Sequence, residues 1–208
     1  MRNQVDWNAQ WKQHAPNFEN GYARIDLNCY GMKGSLRLLP GAGFGDTSHP
    51  TTRLVLRLMA NRVQDRTIID IGCGCGILSL AALTGGASRA IGVDIDEEAV
   101  EHARLNSELN QLSNTFFAPR LPYTIEGDPL IVINMISSEQ KAAWQASSGI
   151  HNLACPVIAS GILACQRECY LEEVREQRGW HFIDELQEEG WLAFLFQQAY
   201  HEPLAIID

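Results

Sequence analysis

The sequence has 208 residues, 46% hydrophobic and 20% charged, with 16 Lys and Arg against 25 Asp and Glu for a formal net charge of −9. That length suits one domain with at most a short extension, and no apolar run approaches the ~18 residues of a membrane-spanning helix. The acidic balance and the lack of a basic run disfavour a protein built chiefly to grip nucleic-acid backbones; a basic protein partner suits the charge better.

Residues 1–7 lack the apolar core of an export signal, so a cytoplasmic location is expected. The six cysteines, Cys29, Cys73, Cys75, Cys155, Cys165 and Cys169, then read as reduced thiols. Neither Cys73-x-Cys75 nor Cys165/Cys169 has the matching second pair of a zinc site, so no metal is expected.

In chain order, Trp7 and Trp11 stand four apart within residues 6–20, which places them on one face of a short helix. Alternation around residues 23–27 and 35–39 predicts the strands of an edge hairpin. Residues 40–52, Pro40-Gly41-Ala42-Gly43-Phe44-Gly45-Asp46-Thr47-Ser48-His49-Pro50-Thr51-Thr52, begin glycine-rich, a poor regular element but a good backbone cradle. Pro50 fits the first position of a helix capped by Ser48 or His49, and Leu54, Val55, Leu58 and Met59 give it an apolar stripe.

From residue 67 the pattern alternates: strand 67–71, helix 77–83, strand 90–93, helix 97–110, strand 130–133, helix 140–147, strand 157–159, helix 165–178. Residues 180–186 and 191–198, separated by Glu188-Glu189-Gly190, read as an antiparallel hairpin. Such repetition implies an α/β fold, a doubly wound, mostly parallel, Rossmann-like sheet closed by that hairpin. Residues 1–39 read as a helical and hairpin extension, and residues 40–208 as the main domain.

The sharpest motif is Ile68-Ile69-Asp70-Ile71-Gly72-Cys73-Gly74-Cys75-Gly76-Ile77-Leu78, an apolar strand entering glycines and then a helix. The next strand ends Ile91-Gly92-Val93-Asp94, a carboxylate ~20 residues on, suited to accept both ribose hydroxyls of an adenosine group. A dinucleotide fingerprint would place glycine where Ile77 stands. Gly72-x-Gly74-x-Gly76 after Asp70 fits a nucleoside-methyltransferase loop, and a tight strand–helix turn without ligand is the remaining reading.

These residues, together with Asp6-Trp7, Trp11-Lys12, residues 40–45, His49-Pro50-Thr51-Thr52, Val93-Asp94-Ile95-Asp96, Asn134-Met135-Ile136 and Ser160-Gly161-Ile162-Leu163, resemble the ribosomal protein methyltransferase family of the PrmA type over residues 7–198. The resemblance implies a class I methyltransferase sheet of about seven strands and S-adenosylmethionine as cofactor. It implies transfer to amines, either lysine side chains or a terminal amine, with a protein substrate such as a ribosomal protein. It lays residues 43–47 over the cofactor, which with the glycine loop and strand ends makes Phe44, Gly45, Asp46, Thr47, Asp70, Gly72, Cys73, Gly74, Gly76, Asp94, Ile95 and Asn134 the expected cofactor contacts. Asn134 is also placed beside the acceptor nitrogen, as the catalytic residue.

The sequence departs from the family in three ways. The family normally has a substrate-recognition domain ahead of the Trp-containing segment, and this sequence begins near that segment. Asp46-Thr47 stands where the family has Thr-Gly, and Cys75 replaces a small serine. No adenine-binding acid stands at Phe117-Ala118-Pro119-Arg120, which leaves apolar contact and backbone for the base.

Methyl transfer from a sulfonium is an in-line displacement that needs proximity, alignment and a deprotonated acceptor, so no catalytic triad is required. His49 reads as a cap or packing residue, and Asp96 and Glu97 as the acidic start of a helix. Trp191, Phe194 and Phe196 read as packing. Small-molecule or RNA methylation on the same core, or a non-catalytic cofactor-binding module, are the alternatives.

Overall fold

The computed structural model describes residues 7–15, 17–41 and 43–198. Helix α1 (Trp7–His14) presents Trp11, 8% exposed, to the His102 ring at 6.0 Å between centroids. Strands β1 (Phe18–Glu19), β2 (Tyr22–Asp26) and β3 (Ser35–Leu38) form an antiparallel sheet of their own. The hairpin of β2 and β3 is therefore not an edge of the main sheet, as its alternation suggested. Its inward residues Ala23, Ile25, Leu36 and Leu38 are buried in the core formed with the helices, and β3 lies against the helical layer.

The main sheet has seven strands: β4 (Thr67–Ile71), β5 (Arg89–Val93), β6 (Thr115–Ala118), β7 (Pro129–Asn134), β8 (Pro156–Leu163), β9 (Trp180–Glu188) and β10 (Trp191–Gln198). Their order is β6-β5-β4-β7-β8-β10-β9. The pairs among β6, β5, β4, β7 and β8 are parallel, and β10 runs antiparallel to both β8 and β9. The doubly wound sheet with its C-terminal hairpin is thus as the sequence predicts. All five residues of β4 are buried, as expected for a central strand covered on both faces. Each buried Ile there contributes about 1.5–3 kcal/mol over an exposed one.

The described residues also form helices α2 (Pro50–Met59), α3 (Ile77–Thr84), α4 (Glu97–Leu109), α5 (Ser137–Ala146) and α6 (Arg167–Arg178). α2 starts as predicted, with His49 as N-cap and Pro50 in the first turn, and Asp96 caps α4. α5 begins three residues before the predicted 140. A 3₁₀ turn over Ala164–Gln166 precedes α6, where the sequence suggested continuous helix. One buried cluster joins Trp11, Leu36 and Leu38 to Leu54, Ile77 and Leu195. A second, on the other face of the sheet, centres on Ile133, Trp180, Phe194 and Phe196.

Candidate active site

The strand order reverses between β4 and β7, and in open α/β sheets ligands bind at the carboxyl ends of the strands flanking such a switch. The glycine loop leaves β4 at this point. The Gly72 and Cys73 amides both donate to the Val93 carbonyl, at 2.8 and 3.0 Å, which folds the loop onto the end of β5. The Gly74 amide donates to Asp94 Oδ2 at 3.0 Å, and Asp94 Oδ1 accepts the Asp96 amide at 3.0 Å. Asp94 is thus held by backbone from both sides while each of its oxygens keeps a lone pair. Ile95, next in sequence, is 93% exposed.

Asp70 is 1% exposed, and its Oδ2 accepts from Ser79 N at 3.2 Å and Ser79 Oγ at 2.8 Å. Its Oδ1 is buried without a partner. Burial pushes the carboxyl up to about 7 against the lowering effect of the Ser79 bonds. Cys73 is expected at the cofactor, but its thiol is buried and raised far above the ordinary range by burial, and its amide is spent on Val93.

Residues 43–48 cross above this loop. The Cys75 amide donates to the Phe44 carbonyl at 3.0 Å, and the Cys75 thiol to the Gly45 carbonyl at 2.8 Å. Gly74, at φ 54°, must be glycine here, because a Cβ would stand 2.5 Å from the Phe44 oxygen. Phe44 is 56% exposed; its ring meets His49 edge-on at 5.6 Å, and His49 meets Trp191 at 4.9 Å. Thr47 is buried with φ 69°. Asp46 turns onto Ser48, accepting the Ser48 amide at 2.9 Å and its hydroxyl. His49 Nδ1 contacts Thr51 Oγ1 at 2.8 Å, and burial together with Arg53 lowers the His49 pKa.

Asn134 ends β7 opposite Ser160 of β8, with its Nδ2 3.5 Å from Thr52 Oγ1, the outer limit of a hydrogen bond. The turn after it is fixed by Gln140. That fully buried side chain donates to the carbonyls of Met135 and Ser160, both at 2.8 Å, and accepts the Tyr170 hydroxyl at 2.6 Å. Ile136 and Leu163, exposed by 48% and 39%, add aliphatic surface at the ends of β7 and β8.

The structure therefore brings Asp70, the glycine loop, Asp94, Ile95 and Asn134 to one carboxyl edge, with Phe44 to Thr47 across the loop. Sequence reading missed Gln140, Arg53, His102 and Asn106. His102 Nδ1 accepts the Gly43 amide at 3.1 Å while Nε2 lies 2.7 Å from the Leu39 carbonyl, which specifies the neutral Nε2–H tautomer. Asn106 accepts the Leu39 amide at 2.8 Å and donates to the Cys75 carbonyl at 2.9 Å. The signal that could have found them is their spacing: two polar residues four apart beside Ala99, Val100 and Ala103 on the buried face of α4. At the end of β6 the Phe117 carbonyl is taken by Arg104 and the Ala118 carbonyl by the Asp94 amide. Among the described residues, no group of three or more His, Cys, Asp or Glu is placed to hold a metal ion.

Known proteins resemble this chain over most of its length. Residues 2–199 match the family model described as ribosomal protein L11 methyltransferase (PrmA). The ribosomal protein L11 methyltransferase of Thiobacillus denitrificans is 40% identical over 160 residues, covering 76% of this chain and 53% of that protein. That of Neisseria gonorrhoeae is 37% identical over 161 residues, covering 76% and 52%. The chain thus spans about half the length of the curated relatives it matches. Among solved structures, the ribosomal protein L11 methylase of Lactobacillus delbrueckii subsp. bulgaricus superposes with a TM-score of 0.67 at 26% identity, covering 79% of this chain and 86% of that one. The T. thermophilus 16S rRNA N2 G1207 methyltransferase, solved with AdoMet and guanosine, shares the fold at a TM-score of 0.63 and 21% identity, covering 86% and 50%. Because that family model matches nearly the whole of it, from residue 2 to residue 199, the chain belongs to the ribosomal protein L11 methyltransferase family.

Proposed function

We propose that this chain binds S-adenosylmethionine and transfers its methyl group to an amine of a protein, with a ribosomal protein as substrate. The observation that carries the reading is the convergence of Asp94, the Gly72–Gly76 loop and Asn134 at the switch point, beneath the Phe44–Thr47 segment. The names of the relatives support the substrate class, and the net charge of −9 suits a basic protein.

The residues fit the cofactor. The free lone pairs of Asp94 can accept ribose hydroxyls, and the exposed Ile95 offers apolar surface to a base. The orphaned Asp70 Oδ1 lacks a donor, and the cofactor's ammonium would supply one, directly or through water. The amides of Gly72, Cys73, Gly74 and Gly76 are already bonded within the chain, so this loop offers the cofactor close approach of its backbone rather than free amides, and Phe44, Gly45, Asp46 and Thr47 close the cradle. When bound, the cofactor supplies an electrophilic methyl group on a sulfonium.

The chain's own residues supply alignment and apolar surface. Asn134 is held at the strand end by the Gln140 bond to the adjoining Met135 carbonyl, and its side-chain oxygen orients the acceptor amine. Phe44, Ile136 and Leu163 provide apolar surface against which a lysine loses its proton more easily, since desolvation disfavours the ammonium form.

The direct test is methyl transfer from tritiated cofactor into a cell extract separated into protein, RNA and small-molecule fractions. Label in protein, on lysine or a terminal amine, is expected; label confined to RNA or small molecules would overturn the acceptor class. The Asn134→Ala variant is expected to hold cofactor affinity within a few fold while turnover falls strongly. Equal loss of both would assign Asn134 to the cofactor instead.

A further inference from the structure

The Arg53 guanidinium, in the first turn of α2, reaches two separate parts of the chain at once. Nη1 donates to the carbonyl oxygens of Thr47 at 3.0 Å and Ser48 at 2.7 Å. Nε donates to Glu188 Oε1 at 2.7 Å, while Nη2 lies 2.6 Å from the same oxygen and 2.8 Å from Glu189 Oε1. Each nitrogen of the group thus donates at least one hydrogen bond, and the side chain is only 17% exposed. Arg57, one turn further along α2, grips the other oxygen of Glu188.

The segment that Arg53 holds is strained. Thr47 is β-branched and buried, yet its backbone is left-handed at φ 69°. Such a residue persists only where its surroundings over-determine it. The surroundings here are the paired carbonyls of Thr47 and Ser48 on one guanidinium. The hairpin turn, 135 residues away from Arg53, supplies the carboxylates that aim that guanidinium.

We propose that Arg53 is a positioning residue that latches residues 44–48 over the cofactor cradle and ties them to the β9–β10 turn through Glu188 and Glu189. The latch keeps Thr47 left-handed and so fixes where the Phe44 and Gly45 carbonyls meet Cys75. What the segment covers rests on the methyltransferase reading; the latch itself does not. A lysine cannot replace Arg53, because a single ammonium cannot serve two carbonyls and two carboxylates in one plane.

Two measurements test this. The first needs no cofactor: the alkylation rate of Cys75, mapped by mass spectrometry. Cys75 is fully buried and hydrogen-bonded to Gly45, whereas Cys155 is equally buried in the core on the other face of the sheet and serves as internal control. Arg53→Lys is expected to speed alkylation of Cys75 about tenfold and leave Cys155 unchanged. Glu189→Gln, at the exposed end of the latch, is expected to give a smaller rise of the same kind. A uniform rise at both cysteines, or none at Cys75 in either variant, overturns the latch.

The second is calorimetric affinity for S-adenosylhomocysteine. Arg53→Lys is expected to weaken it about tenfold. Adding Thr47→Gly is expected to restore most of that loss, since glycine takes the left-handed backbone without a clamp. Strictly additive losses would show that Arg53 merely docks α2 on the hairpin. If the unmodified protein binds no S-adenosylhomocysteine, the cofactor reading fails, and the cysteine rates still decide the latch.

Discussion

Gly161 lies so close to Met135 that a Cβ built on it would stand 2.2 Å from the Met135 carbonyl oxygen. The register of β8 against β10 slips at this glycine, with Leu192 opposite Ile162 and Ala193 opposite Ser160, so Gly161 is the extra residue of a bulge. Its φ of 91° suits that role. The bulge and Gln140 together set the turn that follows Asn134.

Gly161→Ala is therefore expected to destabilise the protein by about 2–3 kcal/mol, from a left-handed backbone and a clash with main chain that cannot move aside. In a chain of this size that lowers Tm by roughly 5–10 °C. Differential scanning calorimetry measures it; a Tm within a degree of the unmodified protein would mean that the turn yields freely.

The Asp94 carboxylate faces two loop amides and, on the proposed function, two ribose hydroxyls. Asp94→Asn keeps one acceptor oxygen but loses the charge and half the accepting capacity. Losing such charge-assisted bonds costs about 1.5–3 kcal/mol, so cofactor affinity should drop roughly ten- to a hundredfold. Isothermal calorimetry checks the value, and NAD is expected to show no binding to either protein. Undiminished affinity for S-adenosylmethionine would remove Asp94 from the ribose site.

How much of this was legible in the sequence follows the range of the interactions. The central strands β4 and β7 show as apolar runs because both faces are buried, and the start of α2 shows because Pro50 and its cap are neighbours. The glycine loop is legible for the same reason: its geometry is set within a few residues. The sequence predicts β8 only over 157–159, whereas the strand starts at Pro156, bulges at Gly161 and continues to Leu163. Arg53, His102 and Gln140 escaped notice because their partners lie far along the chain, as with His102 and Gly43 or Arg53 and Glu188. No local period encodes such pairs. The small sheet of β1 to β3 was visible as strands but not as a separate sheet, since its placement depends on which helices it covers.

On the proposed function, Asp70 is expected to make cofactor binding depend on pH. Burial raises its folded pKa to about 7, well above the ordinary carboxylate value, so the folded state favours the protonated form. Its contribution to stability is full below the unfolded pKa of ~4 and is lost as pH rises through about 7. His102, lowered by burial, acts oppositely: its contribution is full above ~6.5 and is lost as pH falls. Because the two oppose each other, a melting curve against pH separates them poorly, and proton release on binding is the cleaner measurement. A cofactor ammonium beside Asp70 stabilises the carboxylate, so binding near pH 6 should release a proton. Calorimetry in two buffers of different ionisation enthalpy measures that release, and Asp70→Asn should abolish it. Equal release from both proteins would assign the proton to another group.

On the proposed function, Asp46 is expected to act on the charge of the cofactor. It stands where the family has threonine, and its carboxylate is turned onto Ser48, whose amide it accepts at 2.9 Å. Asp46→Asn keeps an oxygen for that amide, so the variant removes charge without dismantling the turn. A carboxylate about 6 Å from a sulfonium, at an effective dielectric of about 40 for a partly exposed group, attracts it by roughly 1.4 kcal/mol before desolvation is subtracted. The attraction is present with S-adenosylmethionine and absent with S-adenosylhomocysteine, which has no charged sulfur. The sulfonium charge also fades as the methyl group departs, so Asp46 tightens the ground state more than the transition state. The unmodified protein is therefore expected to prefer S-adenosylmethionine over S-adenosylhomocysteine by up to about tenfold, and Asp46→Asn to shrink that preference while single-turnover transfer speeds up slightly. Calorimetric affinities of both ligands for both proteins decide it. An unchanged ratio would mean that the Ser48 contact keeps the carboxylate away from sulfur, and equal weakening of both ligands would place Asp46 at the amino group that the two share.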